Sequence, residues 1–263
     1  MKIALTGLPK SGKTTVFNAL TGLDIATDKY SPPADEANMG IVTVKDERIT
    51  RLSEMYKPKK TIYPTIEFHD FPGMFAKSGE SPENSMFAEL KTCDAFAIVM
   101  RAFIDNELDE LYGAPDVLRQ LAHINDEMIL ADLIIAEKRL EKIELGYKRG
   151  VKTPAIQIEE KALRSIVEAL QNNTSIRQME ISKDEEKAIK GFQFFSAKPL
   201  LVLLNTTETD YLHQQEVLSS IRQEGFMTEV IAGKFEQELS TLSEEEAAMF
   251  MDDAGIGESI RDR

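Results

Sequence analysis

Residues 7–14 read Gly7-Leu8-Pro9-Lys10-Ser11-Gly12-Lys13-Thr14. They follow a short apolar run at residues 2–6, which predicts a buried strand, and residues 13–21 after them read as a helix. A strand, a loop ending in Gly-Lys-Thr and a helix in this order are typical of a P-loop, whose backbone N–H groups surround a phosphate. The stretch therefore predicts an α/β fold with a mainly parallel sheet and a phosphate site where the first helix begins.

The side chains of this loop have separate expected roles. Lys13 supplies a positive charge to the outer phosphates, and the hydroxyl of Thr14 is a ligand for Mg²⁺. The remaining residues expected to contact a nucleotide here are Leu8, Pro9, Lys10, Ser11, Gly12 and Thr15. The alternative is a glycine-rich turn that binds nothing.

A second motif, Asp70-Phe71-Pro72-Gly73, follows residues 65–69, which read as a third strand. A carboxylate at the end of such a strand can reach the water shell of a Mg²⁺ ion, and the N–H of Gly73 can contact a γ-phosphate. We therefore expect Asp70 and Thr14 to be the metal ligands, and Asp70 and Gly73 to join Lys13 and Thr14 as the catalytic group. An ordinary turn is the competing interpretation.

A third motif, Asn205-Thr206-Thr207-Glu208, follows a buried run at residues 199–204. GTPases carry Asn-Lys-x-Asp here, and the Asp accepts two hydrogen bonds from the guanine edge. Glu208 is one methylene longer than Asp, so ATP is expected to bind at least as readily as GTP. We expect Asn205 and Glu208 to contact the purine and Ala232 and Gly233 to close over it. A strand-end cap is the alternative for Asn205.

Residues 124–195 interrupt the strand–helix alternation. Apolar residues recur there every three or four positions, which predicts a helical hairpin with a heptad seam. We expect this hairpin to be inserted into a nucleotide-binding domain made of residues 1–123 and 196–263. The seam is formed by Ile129, Leu133, Ala136, Leu140, Ile143 and Tyr147, with Leu163, Ile166 and Leu170 on the second helix.

The composition limits the partners. The 263 residues carry a net charge of −14, so any RNA or ribosome contact has to use a local basic patch. Such a patch is predicted from Lys57, Lys59 and Lys60 with Arg48 and Arg51, although a solvated face is the alternative. A single cysteine, Cys93, and the lack of any apolar run of membrane-spanning length predict a cytoplasmic protein without a membrane partner.

The sequence resembles the Obg-like ATPases of the YchF type. The resemblance extends over essentially all 263 residues. Besides the P-loop, it rests on Phe17-Asn18-Ala19-Leu20-Thr21, Gly40-Ile41-Val42-Thr43-Val44, Asp46-Glu47-Arg48, Lys57-Pro58-Lys59-Lys60, Leu130-Ala131-Asp132-Leu133, Glu137-Lys138-Arg139-Leu140, Asn205-x-x-Glu208 and Glu244-Glu245-Glu246-Ala247-Ala248.

This resemblance implies a Ras-like domain with an inserted helical domain, Mg²⁺-dependent hydrolysis of ATP and association with ribosomes. Family members continue with a small TGS domain, which would begin about where this sequence ends at Arg263. Ala34 stands where the family has a Mg²⁺-ligating Thr, and Glu110 where it has a His linked to hydrolysis. Lys10 replaces the P-loop Asn, and Met74 is a hydrophobic residue as in the family.

These patterns predict a slow, ATP-preferring hydrolase that acts as a nucleotide-dependent switch. Two rival interpretations are a nucleotide-gated binding module with little or no turnover, and a GTP-preferring GTPase.

Overall fold

The computed structural model describes residues 1–26, 37–44, 46–71 and 85–260. Within these residues, six strands form one sheet in the order β2-β3-β1-β4-β5-β6. All neighbouring pairs are parallel except β2 with β3. The predicted α/β fold with a mainly parallel sheet is therefore confirmed. The strands are β1 (Lys2–Thr6), β2 (Asn38–Thr43), β3 (Thr65–Asp70), β4 (Ala95–Arg101), β5 (Leu200–Asn205) and β6 (Met227–Ile231).

The helices flank the strands or follow one another in the inserted region. They are α1 (Lys13–Thr21), α2 (Glu47–Tyr56), α3 (Ser85–Thr92), α4 (Asn106–Tyr112), α5 (Val117–Lys148), α6 (Pro154–Gln171), α7 (Lys183–Ile189), α8 (Gln215–Gln223), α9 (Gly233–Leu239) and α10 (Glu244–Asp253).

The centre of the sheet is strongly apolar. Every residue of β4 is buried, as expected for a parallel strand covered on both faces. One side of the sheet packs against α1 through Leu5, Val16, Phe17, Val99 and Leu203. This packing holds the first helix, and with it the loop that precedes it, against the strands.

The parallel register brings three motif-bearing strands to one edge. Leu5 lies beside Asp70, and Asn205 lies between Arg101 and Ile231 in the neighbouring strands. The loops that leave the carboxyl ends of β1, β3 and β5 therefore start at the same edge of the sheet, where ligands bind in open α/β folds.

The chain divides into two compact units. The first lies within residues 1–74, 93–117 and 200–263, and the described part of the second comprises residues 85–92 and 118–199. The sequence placed the inserted helices at 124–195, but α5 begins at Val117. The helical period of buried residues continues N-terminally of 124, because Leu121 and Val117 are buried like Ile124.

The helical unit has a core of its own. Ile129, Ala136 and Ile143 of α5 pack with Leu163 and Ile166 of α6, while Leu133, Leu140 and Tyr147 are partly buried beside them. The predicted heptad seam is confirmed.

Two polar contacts support this unit. Arg139 makes a two-pronged contact with Glu159, through Nε at 2.6 Å and Nη2 at 2.9 Å. The buried carboxylate of Asp132 accepts hydrogen bonds from the backbone N–H groups of Phe195 (2.9 Å) and Ser196 (2.6 Å). These bonds attach the segment that leads into β5 to the middle of α5.

Across the described ranges, no helix combines the length and the apolar character needed to span a bilayer.

Candidate functional site

The loop after β1 depends on glycines. Gly7 and Gly12 have φ angles of 144° and 86°, in a region that side chains with a Cβ rarely adopt. Neither position has room for a Cβ, since one at Gly7 would meet the carbonyl oxygen of Val99 and one at Gly12 the side chain of Asn205. Lys10 also has a positive φ, 62°, a strained conformation for this residue. The loop is thus held in one tight conformation.

Lys13 opens α1 and is almost completely buried. Its ammonium group donates a hydrogen bond to the carbonyl oxygen of Leu8, at 3.0 Å, so the side chain curls back over the loop. Burial lowers the pKa of Lys13 to about 8; the nearby Asp70 charge opposes this shift and the Lys10 charge adds to it. A cation in this position, with its charge poorly solvated, gains strongly from an anion arriving in the loop.

Thr14 and Asp70, the two predicted metal ligands, are in direct contact. The Thr14 hydroxyl donates to Asp70 Oδ2 at 2.8 Å, and Asn38 of β2 donates to the same oxygen at 3.4 Å. Asp70 is 4% exposed, and burial raises the pKa of its carboxyl group. Within the described structure its second oxygen, Oδ1, is buried with no hydrogen-bond partner, as is the hydroxyl of Ser11.

This donor set fits Mg²⁺. The ion prefers oxygen ligands and is commonly held by one or two protein groups together with substrate phosphates. An unpartnered buried carboxylate oxygen beside a threonine hydroxyl offers such ligands. Among the described residues there is no group of three or more His, Cys, Asp and Glu side chains that could hold a metal by themselves. The site thus fits an ion shared with a nucleotide.

Asn205 connects three segments. Its side-chain N–H donates to the carbonyl oxygen of Ser11 at 2.9 Å, and its side-chain oxygen accepts from the N–H of Gly233 at 3.0 Å. A Cβ on Gly233 would lie 2.7 Å from that oxygen, so the close approach requires glycine. The contact of Asn205 with a base, expected from the sequence, stays a prediction. The structure shows that its side chain anchors the phosphate loop, using one N–H and one lone pair. One N–H remains for another acceptor.

The other predicted base-site residues lie around Asn205. Ala232 is buried and Gly233 begins α9, so both stand next to the Asn205 side chain in the fold. Glu208 is exposed, in a turn where the Thr207 hydroxyl bonds Asp210 at 2.9 Å. Thr15 belongs to the first turn of α1.

Some predicted residues lie outside the described part of the chain. They are Gly73, Ala34 and Met74. Glu110 is described; it is exposed on α4.

Sequence reasoning did not single out Arg101. This residue ends β4 and is buried, and it pairs with Asp109 of α4 at 2.7 Å and donates to the carbonyl oxygen of Gly113. The sequence does contain a signal for it, because Arg101 is the one basic residue in an otherwise apolar strand. Through these two contacts, Arg101 connects α4 to β4, the strand that pairs with β1.

Comparisons with known proteins agree with this geometry. The 50S ribosome-binding GTPase family matches residues 2–138. The ribosome-binding ATPase YchF of Bacillus subtilis is 32% identical over 267 residues, a match that spans 98% of this chain and 72% of the relative. The chain belongs to the YchF family. A second YchF relative, from Haemophilus influenzae, is 32% identical over 263 residues with the same coverage.

The structure of the chain also resembles that of a YchF protein. A solved structure of the YchF GTPase of Schizosaccharomyces pombe superposes with a TM-score of 0.75 at 27% identity, and the match covers 99% of this chain and 73% of that one. The YchF resemblance seen in the sequence motifs is therefore confirmed over nearly the whole chain.

Proposed function

We propose that this chain binds a purine nucleoside triphosphate at the P-loop and hydrolyses it slowly with Mg²⁺, as a nucleotide-dependent switch. The observation that carries the proposal is the contact of Thr14 with Asp70 at the carboxyl edge of the sheet, near the Lys13 charge, with a buried carboxylate oxygen that has no partner among the described residues. Phosphoryl transfer depends mostly on positioning and charge, and these residues supply both.

Each residue has a proposed role. Lys13 gives up its bond to Leu8 and binds the outer phosphates, while the backbone N–H groups of residues 10–15 surround them. Thr14 and Asp70 would hold Mg²⁺, which supplies positive charge to the phosphate oxygens. The N–H of Gly73 is proposed to contact the γ-phosphate.

Slow turnover is proposed because three positions lack groups that assist hydrolysis elsewhere: positions 34 and 110 differ from the family, and position 74 differs from the water-orienting Gln of Ras-like enzymes. Alanine at position 34 has no ligand atom, methionine at position 74 cannot orient water by hydrogen bonding, and Glu110 stands where the family has a histidine. The same replacements favour the alternative function, a nucleotide-gated binding module without significant hydrolysis. Phosphate release measured with ATP separates the two functions: a rate indistinguishable from that of Lys13→Ala supports the binding module.

Base preference follows from Glu208. Its longer side chain suits the two donors of guanine less well than an Asp would, and we propose that ATP binds at least as tightly as GTP. The decisive test is competition of ATP and GTP for a fluorescent nucleotide, with phosphate release followed in parallel with Mg²⁺ and with EDTA. A GTP affinity more than about tenfold better than that for ATP (1.4 kcal/mol) would support the GTPase alternative instead.

A matched variant sharpens this test. Glu208→Asp shortens the side chain while keeping its charge, and we expect it to shift the ratio of the two affinities toward GTP by up to about tenfold. Because Glu208 is exposed, the variant should fold normally. An unchanged ratio would show that Glu208 does not read the base.

Ribosome association is proposed as the cellular setting, in the cytoplasm. The YchF relatives from Bacillus subtilis and Haemophilus influenzae bear the name ribosome-binding ATPase, and the matched family is described as ribosome-binding. Co-sedimentation of the purified chain with ribosomes, with and without nucleotide, tests this part.

A further inference from the structure

Helix α2 is held on one side only. None of its ten residues is buried. Its N-terminus is capped by Asp46, which accepts from the N–H of Arg48 at 2.8 Å. Two hydroxyl pairs attach it to the following segment: Thr50 with Tyr63, at 3.0 Å, and Ser53 with Thr61. Helices of this length normally depend on packing against a partner surface, and α2 has an open side where such a surface can bind.

The open side combines basic and apolar side chains. Arg48, Arg51, Leu52 and Met55 have the spacing of one helix face, and Met55 is 72% exposed. The face continues beyond the helix, where Tyr56 is 74% and Ile62 is 73% exposed. We call the exposed side of residues 48–62 the α2 surface.

The charge of the α2 surface opposes that of the molecule. Residues 46–62 contain five basic and three acidic residues in a chain of net charge −14. The two arginines lie near acids, Arg48 at 2.6 Å from Asp46 and Arg51 at 3.8 Å from Glu47. Between described residues, no ion pair involves the three lysines at positions 57, 59 and 60. The helix dipole accounts for one cation at the C-terminal cap but not for three.

The α2 surface is also connected to the nucleotide site. Along the chain, helix α2 connects β2 to β3, and these two strands pair with each other as an antiparallel ribbon. At the far end of this ribbon Asn38 pairs with Asp70, the proposed Mg²⁺ ligand. A partner bound at α2 therefore holds the connection between the two strands of the ribbon that carries Asn38 and Asp70.

We propose that the α2 surface binds RNA of the ribosome, with Lys57, Lys59 and Lys60 contacting phosphates and Tyr56 stacking on an unpaired base. The proposal rests on the ribosome association proposed above. Several free cations beside an exposed aromatic ring match a phosphate backbone with accessible bases. An acidic protein surface is the competing occupant.

The test uses 70S ribosomes and naked ribosomal RNA extracted from them, each titrated against the labelled chain at several salt concentrations. The test variant is Lys57→Glu/Lys59→Glu/Lys60→Glu. Its matched control, Lys138→Glu/Lys142→Glu/Lys148→Glu, makes the same change of charge at exposed positions of α5. Tyr56→Ala is paired with Tyr112→Ala, which removes a ring that is 57% exposed on α4.

We expect the α2 triple variant to weaken binding to both probes at least tenfold and to reduce the slope of log affinity against log salt by about 2 to 3. The α5 control should change affinity less than threefold. Tyr56→Ala should weaken binding about fivefold or more with an unchanged salt slope, and Tyr112→Ala should have no effect.

Other outcomes overturn the proposal or part of it. Equal losses in both triple variants, or unchanged binding in the α2 variant, exclude the α2 surface. Binding to ribosomes through α2 without binding to naked RNA identifies a ribosomal protein as the partner, which overturns the RNA assignment. Binding of neither probe by the unmodified chain also overturns it. If naked RNA binds through α2 but ribosomes do not bind, the ribosome association fails and the α2 assignment stands.

Discussion

The side chain of Asn205 holds together segments of the site that are far apart in the chain. Its amide reaches the carbonyl of Ser11, 194 positions earlier in the chain, and the N–H of Gly233. Loss of either bond leaves a buried backbone group without a partner.

The first prediction uses this anchor. In Asn205→Asp a carboxylate oxygen replaces the N–H donor and faces the Ser11 carbonyl, so the two oxygens repel and the loop shifts. We expect ATP and GTP affinities to fall together by tenfold or more, measured by competition with a fluorescent nucleotide. If Asn205 mainly read the base, the ratio of the two affinities would change instead.

The second prediction concerns the pH dependence of nucleotide binding. In the folded chain without nucleotide, the pKa of Lys13 is about 8, lowered chiefly by burial. The side chain therefore loses its charge as the pH rises through 8. Phosphate binding requires the charged form. Between pH 7 and pH 9 we therefore expect the triphosphate affinity to fall by about tenfold.

A companion variant identifies the titrating group. The Asp70 charge raises the pKa of Lys13, so Asp70→Asn should move the fall in affinity to lower pH. A flat profile in the unmodified chain, or an unshifted one in the variant, would assign the pH dependence elsewhere.

The sequence predicts which residues of the site belong to motifs, but not the contacts between residues that are far apart in the chain. The phosphate loop and the Thr14–Asp70 pair were predictable because a local motif specifies each residue and parallel strands bring motif ends together. The anchoring role of Asn205 was not predictable, because it depends on a contact between residues far apart in the chain. The same holds for the contact of Lys13 with Leu8, which depends on the detailed path of the loop.

At the scale of elements, strand direction was the main feature that the pattern did not contain. Both β2 and β3 read as short strands, and nothing in their composition shows that they run antiparallel. The residues between them decide it: α2 and its flanking loops return the chain to the same end of the sheet at which it left. The early start of α5 at Val117 was missed although Asp116, a residue type that commonly caps helices, directly precedes it; the heptad seam was read only from Ile129 onward.

The third prediction belongs to the contact between α5 and the segment before β5. The pKa of Asp132 is raised from 3.8 to about 6, mainly by burial. Because the folded state holds this proton more tightly than the unfolded state, the contribution of Asp132 to stability is full below pH 4. It is lost as the pH rises through 6.

Asp132→Asn removes this titration. The free energy of unfolding of the variant relative to the unmodified chain should rise by about 1 kcal/mol between pH 5 and pH 7, measured by urea denaturation. Asp126→Asn, at an exposed site on the same helix, serves as the control and should show no such trend. Parallel curves for all three proteins would place the Asp132 carboxyl in a better solvated environment.

At the scale of the whole molecule, each unit has its own hydrophobic core. The helical unit buries Ile129, Ala136, Ile143, Leu163 and Ile166 together. A cluster of this kind within one sequence segment can support folding without the sheet.

The fourth prediction follows from this division. A fragment of residues 118–199 should be monomeric and helical and should unfold cooperatively, as followed by circular dichroism during heating. Leu163→Ala, which removes a fully buried side chain from the seam, should lower its stability by about 2 to 5 kcal/mol. A gradual, non-cooperative transition in the fragment would mean that the helices depend on the first unit.

The pairing of β4 with β5 has a consequence for how the chain is made. Phe96 of β4 pairs with Leu200 of β5, so roughly 100 residues are translated between the two partners, which takes about 5 to 20 s. During that interval β4, in which every residue is buried in the folded chain, has one edge without its neighbour, a condition that favours aggregation. The intervening helices make mostly local contacts and fold in a small fraction of that time. The nascent chain thus emerges with its insertion complete while its sheet is still open, and chaperones that bind unpaired strands have their main opportunity in this interval.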